Sequence, residues 1–282
     1  MCEAERKINM KAKNLFIFGL AAALLSGCGG PKKYSQEANK EKFLDIVNQA
    51  LEGSGMMSKG DAPFYSFEFE YSYESENENK YLKDGSTLSS SESHGKSNRS
   101  AKYDSKNALL SDISESDGSS SSDSQNTKTD TRSDVFWQAD AKNYYKIDKR
   151  EKRYQKAEAE KPADKIEQKA INVTNGFYNK FSQIASLVDS KDSKVYADDN
   201  VYTIVVDVNE TTEGVAVKSH GIYQISISNT LLEYYEETSE EGKELNREYK
   251  SSSKTTYKLE KKDLSLKALD LNDYLLNKDS LY

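Results

Sequence analysis

Two histidines, two cysteines and a surplus of carboxylates are the groups in this 282-residue chain that could do chemistry. Their spacing argues against most of it. His94 lies in a serine-rich polar stretch and His220 just ahead of an apolar alternation. Neither has the partner that a His-Glu-x-x-His zinc site requires, so both read as solvated side chains and no metal is expected. No Gly-x-Ser-x-Gly elbow, phosphate loop or dinucleotide glycine fingerprint occurs. Asp198-Asp199 and Glu236-Glu237 are adjacent acids of the kind that serve general acid–base work, but carboxylates are too numerous here for adjacency to select a pair. Asp112, Ser114 and Ser116 have calcium-loop spacing, yet the glycine falls at 118 where such a loop needs it at 117. The expectation is a protein with no catalytic residue, no cofactor and no enzymatic role.

The one thiol with a context is Cys28. Ahead of it come Lys11 and Lys13, the apolar run Leu15 to Leu25, and the small residues Ser26 and Gly27. A charged start, an apolar run and a small-residue cleavage site make a secretory signal, and the run is shorter than the roughly 20 residues of a membrane span. The tetrad Leu25-Ser26-Gly27-Cys28 resembles the bacterial lipobox. That resemblance implies a signal peptide over 1–27, an acylated Cys28 opening a tether over 28–34 (Gly-Gly-Pro-Lys-Lys at its centre), and a single domain over 35–282. It also implies a lipid anchor in the cell membrane, with the domain on the extracytoplasmic face.

Composition bounds the partners. The chain carries 40 basic and 47 acidic residues, and loss of residues 1–27 leaves 36 against 45, net −9. An acidic balance excludes a nucleic-acid partner and leaves the acyl chains, not charge, to hold the protein to a membrane. With Cys2 removed and Cys28 acylated, no disulfide is available, so a core alone must hold the fold. Nineteen tyrosines and nine phenylalanines are its main material.

The elements follow from periodicity. Phe43, Ile46, Val47, Ala50 and Leu51 recur at helical spacing, from Ser35 as N-cap to Gly53-Ser54-Gly55 as the stop. In Phe64 to Glu74 the odd positions are Tyr65, Phe67, Phe69, Tyr71 and Tyr73 and the even ones are Ser or Glu. This is a strand with one covered face, either core beneath a helix or the wall of a ligand groove. Residues 75–134 are polar. They read as solvated strands over 80–90, 97–110 and 121–132 with a turn at Asp117-Gly118, or as a disordered insertion. A hairpin ladder runs from Val135 to Lys156, and Ile166, Ala170, Val173, Phe177, Phe181, Ile184 and Val188 mark a helix of some six turns. The remainder is strand again, with a strand covered on both faces at 201–208 and turns at Asn229-Thr230 and at 239–244.

This order, helix, strands, helix, strands, behind a lipobox is similar to the LolA-like class, which includes the mycobacterial lipid-carrying lipoproteins. The resemblance rests on element order over 35–271 and on hairpins such as Asn143-Tyr144-Tyr145-Lys146-Ile147-Asp148. It implies an α+β fold, a strongly curved antiparallel β-sheet (half-barrel) packed on two main α-helices. It further implies an apolar or lipid-like ligand held between sheet and helices by Phe67, Phe69, Tyr71, Trp137, Phe177 and Phe181. The alternative is an envelope interaction protein whose sheet edge or acidic surface docks another protein.

Overall fold

The structure, a computed structural model, describes residues 30–56, 65–123, 125–212, 215–278 and 281. Cys28 and the signal expected over 1–27 lie outside them. The chain divides after Lys32, and the fold below is that of the unit from Lys33 onward.

Twelve strands form one open sheet: β1 Phe67–Lys83, β2 Ser86–Asp104, β3 Leu109–Ser122, β4 Gln125–Ala139, β5 Asn143–Asp148, β6 Arg153–Glu158, β7 Ser193–Asp198, β8 Val201–Thr212, β9 Val215–Ile227, β10 Leu231–Glu244, β11 Arg247–Lys261 and β12 Leu275–Leu276. Their spatial order is β12-β6-β5-β4-β3-β2-β1-β11-β10-β9-β8-β7, antiparallel throughout except for the parallel β12–β6 pair. Helices α1 Lys40–Ser54, α2 Pro162–Ser182 and the short α3 Ile184–Asp189 pack on one face.

The expected half-barrel on two main helices is not what forms. Strand accounts for 59% of the described residues against 19% helix, and the result is a large mixed, unclosed sheet with few helices. The reason is strand length. β1 and β2 run 17 and 19 residues, roughly 55 and 60 Å at 3.3 Å per residue. The 21 residues of α2 cover about 30 Å. Helices can cover only the strand ends that carry apolar side chains. There Phe67, Phe69, Leu232, Tyr234, Ile225, Ile204 and Leu259 meet Phe43 and Val47 of α1 and Ile166, Ala170 and Phe177 of α2 in one buried cluster. On the opposite face, Leu109, Phe136 and Ile147 form a smaller cluster beneath the C-terminal tail residues Leu266, Leu269, Leu271 and Tyr274.

Several boundaries moved for local reasons. The first polar hairpin turns at Asp84-Gly85, with φ of 51° and 78°, the two left-handed residues of a tight turn whose twist matches the flanking strands. Asp117-Gly118 is no turn: Asp117 opposes Lys96 and Asp130, and Gly118 opposes Gly95 and Thr129. A Cβ on Gly118 would come 2.8 Å from Thr129 Oγ1, so the glycine admits a close cross-strand contact. β10 continues through 239–244 and turns only at Leu245-Asn246. The long helix breaks at Gln183. Asn39, not Ser35, caps α1, its side chain accepting from Glu41 N at 2.8 Å, while Ser35 N and Oγ both donate to the Asp198 carboxylate.

Candidate functional site

The nominated ligand residues come together, but as core. Phe67, Phe69 and Phe177 are at most 1% exposed, Trp137 is buried, and Tyr71 and Phe181 are half-buried. Their rings pack on one another and on Tyr103, Tyr178, Tyr234 and Tyr257. Phe177 stands edge-on to Phe181 at 4.9 Å and lies 5.7 Å from Tyr257, which is 4.8 Å from Tyr71 and 6.2 Å from Tyr234. Lys169 Nζ lies 5.0 Å from the Trp137 ring, a cation–π contact that closes that end. Burial pushes the Tyr257 phenol up to about 12, with Tyr71 and Glu236 nearby adding to it, so it stays protonated.

The open volume lies elsewhere, on the helix-free face and beyond the core. Where β1 leaves the helices its alternation persists with new chemistry. On the helix side of β1–β4, beyond the paired Arg99 and Asp112 (2.7–2.8 Å), the rows contain only hydroxyl, amide, glycine and tyrosine. Tyr73-Ser97-Ser116-Thr131 and Asn77-Ser93-Ser120-Thr127 are two of them. The other face is charged at the same depth. One row runs His94-Glu76-Ser252-Ser239-His220-Asp207 across six strands, and the next runs Glu92-Glu78-Lys250-Glu241-Lys218-Asn209.

Curvature of the sheet makes these rows the floor and walls of a trough of about 780 Å³, continued by a second hollow of about 330 Å³ towards the hairpin tips. Both histidines of the chain line it. His220 Nδ1 sits 2.6 Å from Asp207 Oδ1 and His94 Nδ1 3.7 Å from Glu76 Oε1. Lys218 pairs with Glu241 at 3.3 Å and Lys80 with Glu78 at 2.6 Å. The hydrogen bond to Lys80 holds the Glu78 carboxyl below its usual range and raises Lys80 in turn. Glu92 stands directly opposite Glu78, a like-charge pair that costs stability in a sheet. Among the described residues no three histidine, cysteine or acidic groups are placed to hold a metal ion. The trough presents ion pairs and hydrogen-bonding side chains, among them Glu240, which accepts from the Tyr249 hydroxyl of the adjoining hollow.

Reading His94 and His220 as separate solvated side chains did not bring them together: both are exposed, but they share one row of the sheet. The signal was present: the period-two alternation of Tyr65 to Tyr73 continues through Glu74, Glu76 and Glu78, and again through Glu92, His94 and Lys96. What sequence could not supply is the register, which alone puts His94 and His220 in one row.

No family model and no curated protein matches the chain. Among solved structures it is similar to the translocator domain of the autotransporter NalP from Neisseria meningitidis, at 7% identity and TM-score 0.21, covering 77% of this chain and 95% of that one. The S-type phycobiliprotein lyase CPES from Guillardia theta matches at 7% identity and TM-score 0.17, over 76% and 96%. OpdQ of Pseudomonas aeruginosa matches at 7% and 0.21, over 68% and 62%. Likenesses this weak carry no argument about this chain. Among the described residues no helix is long and apolar enough to cross a membrane.

Proposed function

We propose that this chain is a membrane-tethered, extracytoplasmic, non-enzymatic interaction protein, anchored through acylated Cys28 and docking another envelope protein on its projecting sheet. One observation carries the reading. Among the described residues no helix or tail lies over the outer halves of β1–β4 and β8–β11, and their two faces differ in kind, hydroxyl-rich on one side and charged with a trough on the other. Apolar surface left open would suit a lipid; the aromatic residues suited to that role are instead packed into the core.

The test places a photo-crosslinking residue at Glu92 in the trough and, separately, at Lys165 on the exposed side of α2, in cells making the full chain. Capture of one stoichiometric protein from position 92 and not from position 165 supports docking. Identical capture from both positions, or a reproducible lipid mass carried through purification of the chain, overturns it.

A further inference from the structure

β4 has one open edge. β5 pairs only with Val135–Ala139, so among the described residues Gln125–Thr131 is bounded by β3 on one side and by no strand on the other. Lys149 N donates to Asp134 O at 3.0 Å, and the Arg150 guanidinium donates to Arg132 O. The even-numbered residues of β4 therefore turn their backbone groups away from β3, and alternation extends this to Asn126, Lys128 and Asp130. The edge has no proline, and its ladder to β3 is continuous from Gln125 to Trp137 without a bulge. Two of the usual protections of an edge are thus missing. The third, charge, is present in an unusual form: Lys128, Asp130 and Arg132 alternate in sign on one face, and Lys128 has no ion-pair partner among the described residues.

We infer that a second copy of this chain adds to this edge, antiparallel, with a two-fold axis at Thr129. In that register Lys128 of each copy faces Asp130 of the other, so two complementary pairs flank the axis. The outward N–H and C=O groups of the same residues exchange hydrogen bonds. Thr129 meets its own copy, and the strands overlap from Thr127 to Thr131, stopping short of Arg132, whose carbonyl already accepts from Arg150 of its own chain. Neighbouring registers fail. An axis at Asp130 sets Asp130 against itself and Lys128 against Arg132. An axis at Lys128 sets that lysine against itself. An axis at Thr131 drives Gln125–Thr127 of one copy into the space that Lys146–Asp148 of the other fills beside Val135–Trp137. Odd offsets would bring residues of opposite faces together. The interface is isologous and closed, a two-fold dimer with one sheet running through both copies. This pairing goes beyond the docking function: it needs neither the trough nor the anchor.

Disulfide trapping tests the axis. In the full chain with Cys2 and Cys28 replaced by serine, Thr129→Cys places two thiols at a pair with Cα atoms about 4.5 Å apart, within the roughly 4.4–6.8 Å a disulfide spans. Thr127→Cys and Thr131→Cys place theirs roughly 14 Å apart. Oxidation is expected to crosslink T129C into a covalent dimer and to leave the other two without a crosslink. Sedimentation of the uncrosslinked D130K chain should show dimer dissociation raised by at least about tenfold, with the swap K128D/D130K restoring it. Crosslinking at 131 instead of 129, equal crosslinking at all three positions, or none at any with a monomeric parent at its highest soluble concentration would overturn the inference.

Discussion

Replacing Asp104 should unseat both the β2–β3 turn and the C-terminal tail. Its carboxylate is fully buried. One oxygen accepts from Lys106 N (3.1 Å) and Asn107 N (3.3 Å), the other from Asn107 Nδ2 (2.8 Å) and Leu266 N (3.0 Å). Burial pushes this carboxyl up, but the four donors outweigh it and it titrates below its ordinary range. Asp104→Ala leaves four donors without their acceptor. Those of the turn are close to water and recover part of the loss, so the expected cost is about 2–4 kcal/mol rather than four full bonds. Asp104→Asn keeps the shape but turns an NH₂ towards donors, at about 1–3 kcal/mol. The pH dependence fixes the cause. A depressed carboxyl contributes stability that is fully present above its unfolded value of about 3.9 and is lost as pH falls through the folded value. The gap between the parent and D104N should therefore narrow as pH drops from about 7 towards 3. Urea unfolding followed by the fluorescence of Trp137, the single tryptophan, measures it. A cost below about 1 kcal/mol for D104A, or a parent–D104N gap that does not change with pH, would refute the reasoning.

Phe177→Ala should cost about 3–5 kcal/mol in the same assay, since the ring is fully buried against Phe181, Tyr178 and Tyr257 and its removal opens a cavity between α2 and the sheet. Glu92→Lys should stabilise by about 0.2–1 kcal/mol by setting a lysine opposite Glu78, and should also weaken capture of any protein held in the trough. Gly85→Ala, at φ 78°, should destabilise by about 1 kcal/mol, read as a lower urea midpoint at unchanged slope. Hydrogen exchange should separate the sheet by depth, with amides at Ser93, Ser116 and Thr238 opening locally while Phe69, Leu110 and Ile225 open only with the whole fold.

The covered half of the protein was legible because its physics is local. Apolar residues at positions 67 and 69 and at 166 to 181 declare strand or helix by period, and the apolar run at 201 to 206 declares a buried strand, although the helical period ran on past the break at Gln183. The uncovered half was not, because serine, threonine and asparagine carry little periodic contrast. The turn at Asp84-Gly85 was a strong hairpin signal set against a weak background, and Asp117-Gly118 was the same kind of dipeptide buried in mid-strand. Context decided between them: a two-residue loop at 84–85 lets Tyr73 and Ser97 share a row, a constraint that no window of ten residues contains. The helices misled in another way. Two amphipathic helices imply a sheet they can cover, and nothing in their own residues says that the strands run on beyond them.

A sheet layer without a core has to be justified by something other than burial. Isolated hairpins are marginal in water, and the exposed ion pairs here, such as Lys96–Glu74 at 2.7 Å and Lys191–Glu210 at 2.7 Å, contribute little each. The outer ladder therefore holds because it is continuous with strands locked at their inner ends by Phe67, Tyr103, Leu232 and Leu259. Its own rows supply register rather than stability: hydroxyl against hydroxyl on one face (Ser116–Thr131 and Ser120–Thr127, both 2.6 Å) and charged side chains, some paired as Lys96 with Glu74 and Lys218 with Glu241, on the other. A segment that adds little free energy yet fixes every row on both faces is specified as surface. That supports the proposed docking role for this half of the molecule, while the aromatic half, better packed and easier to read, is the part that holds the surface in place.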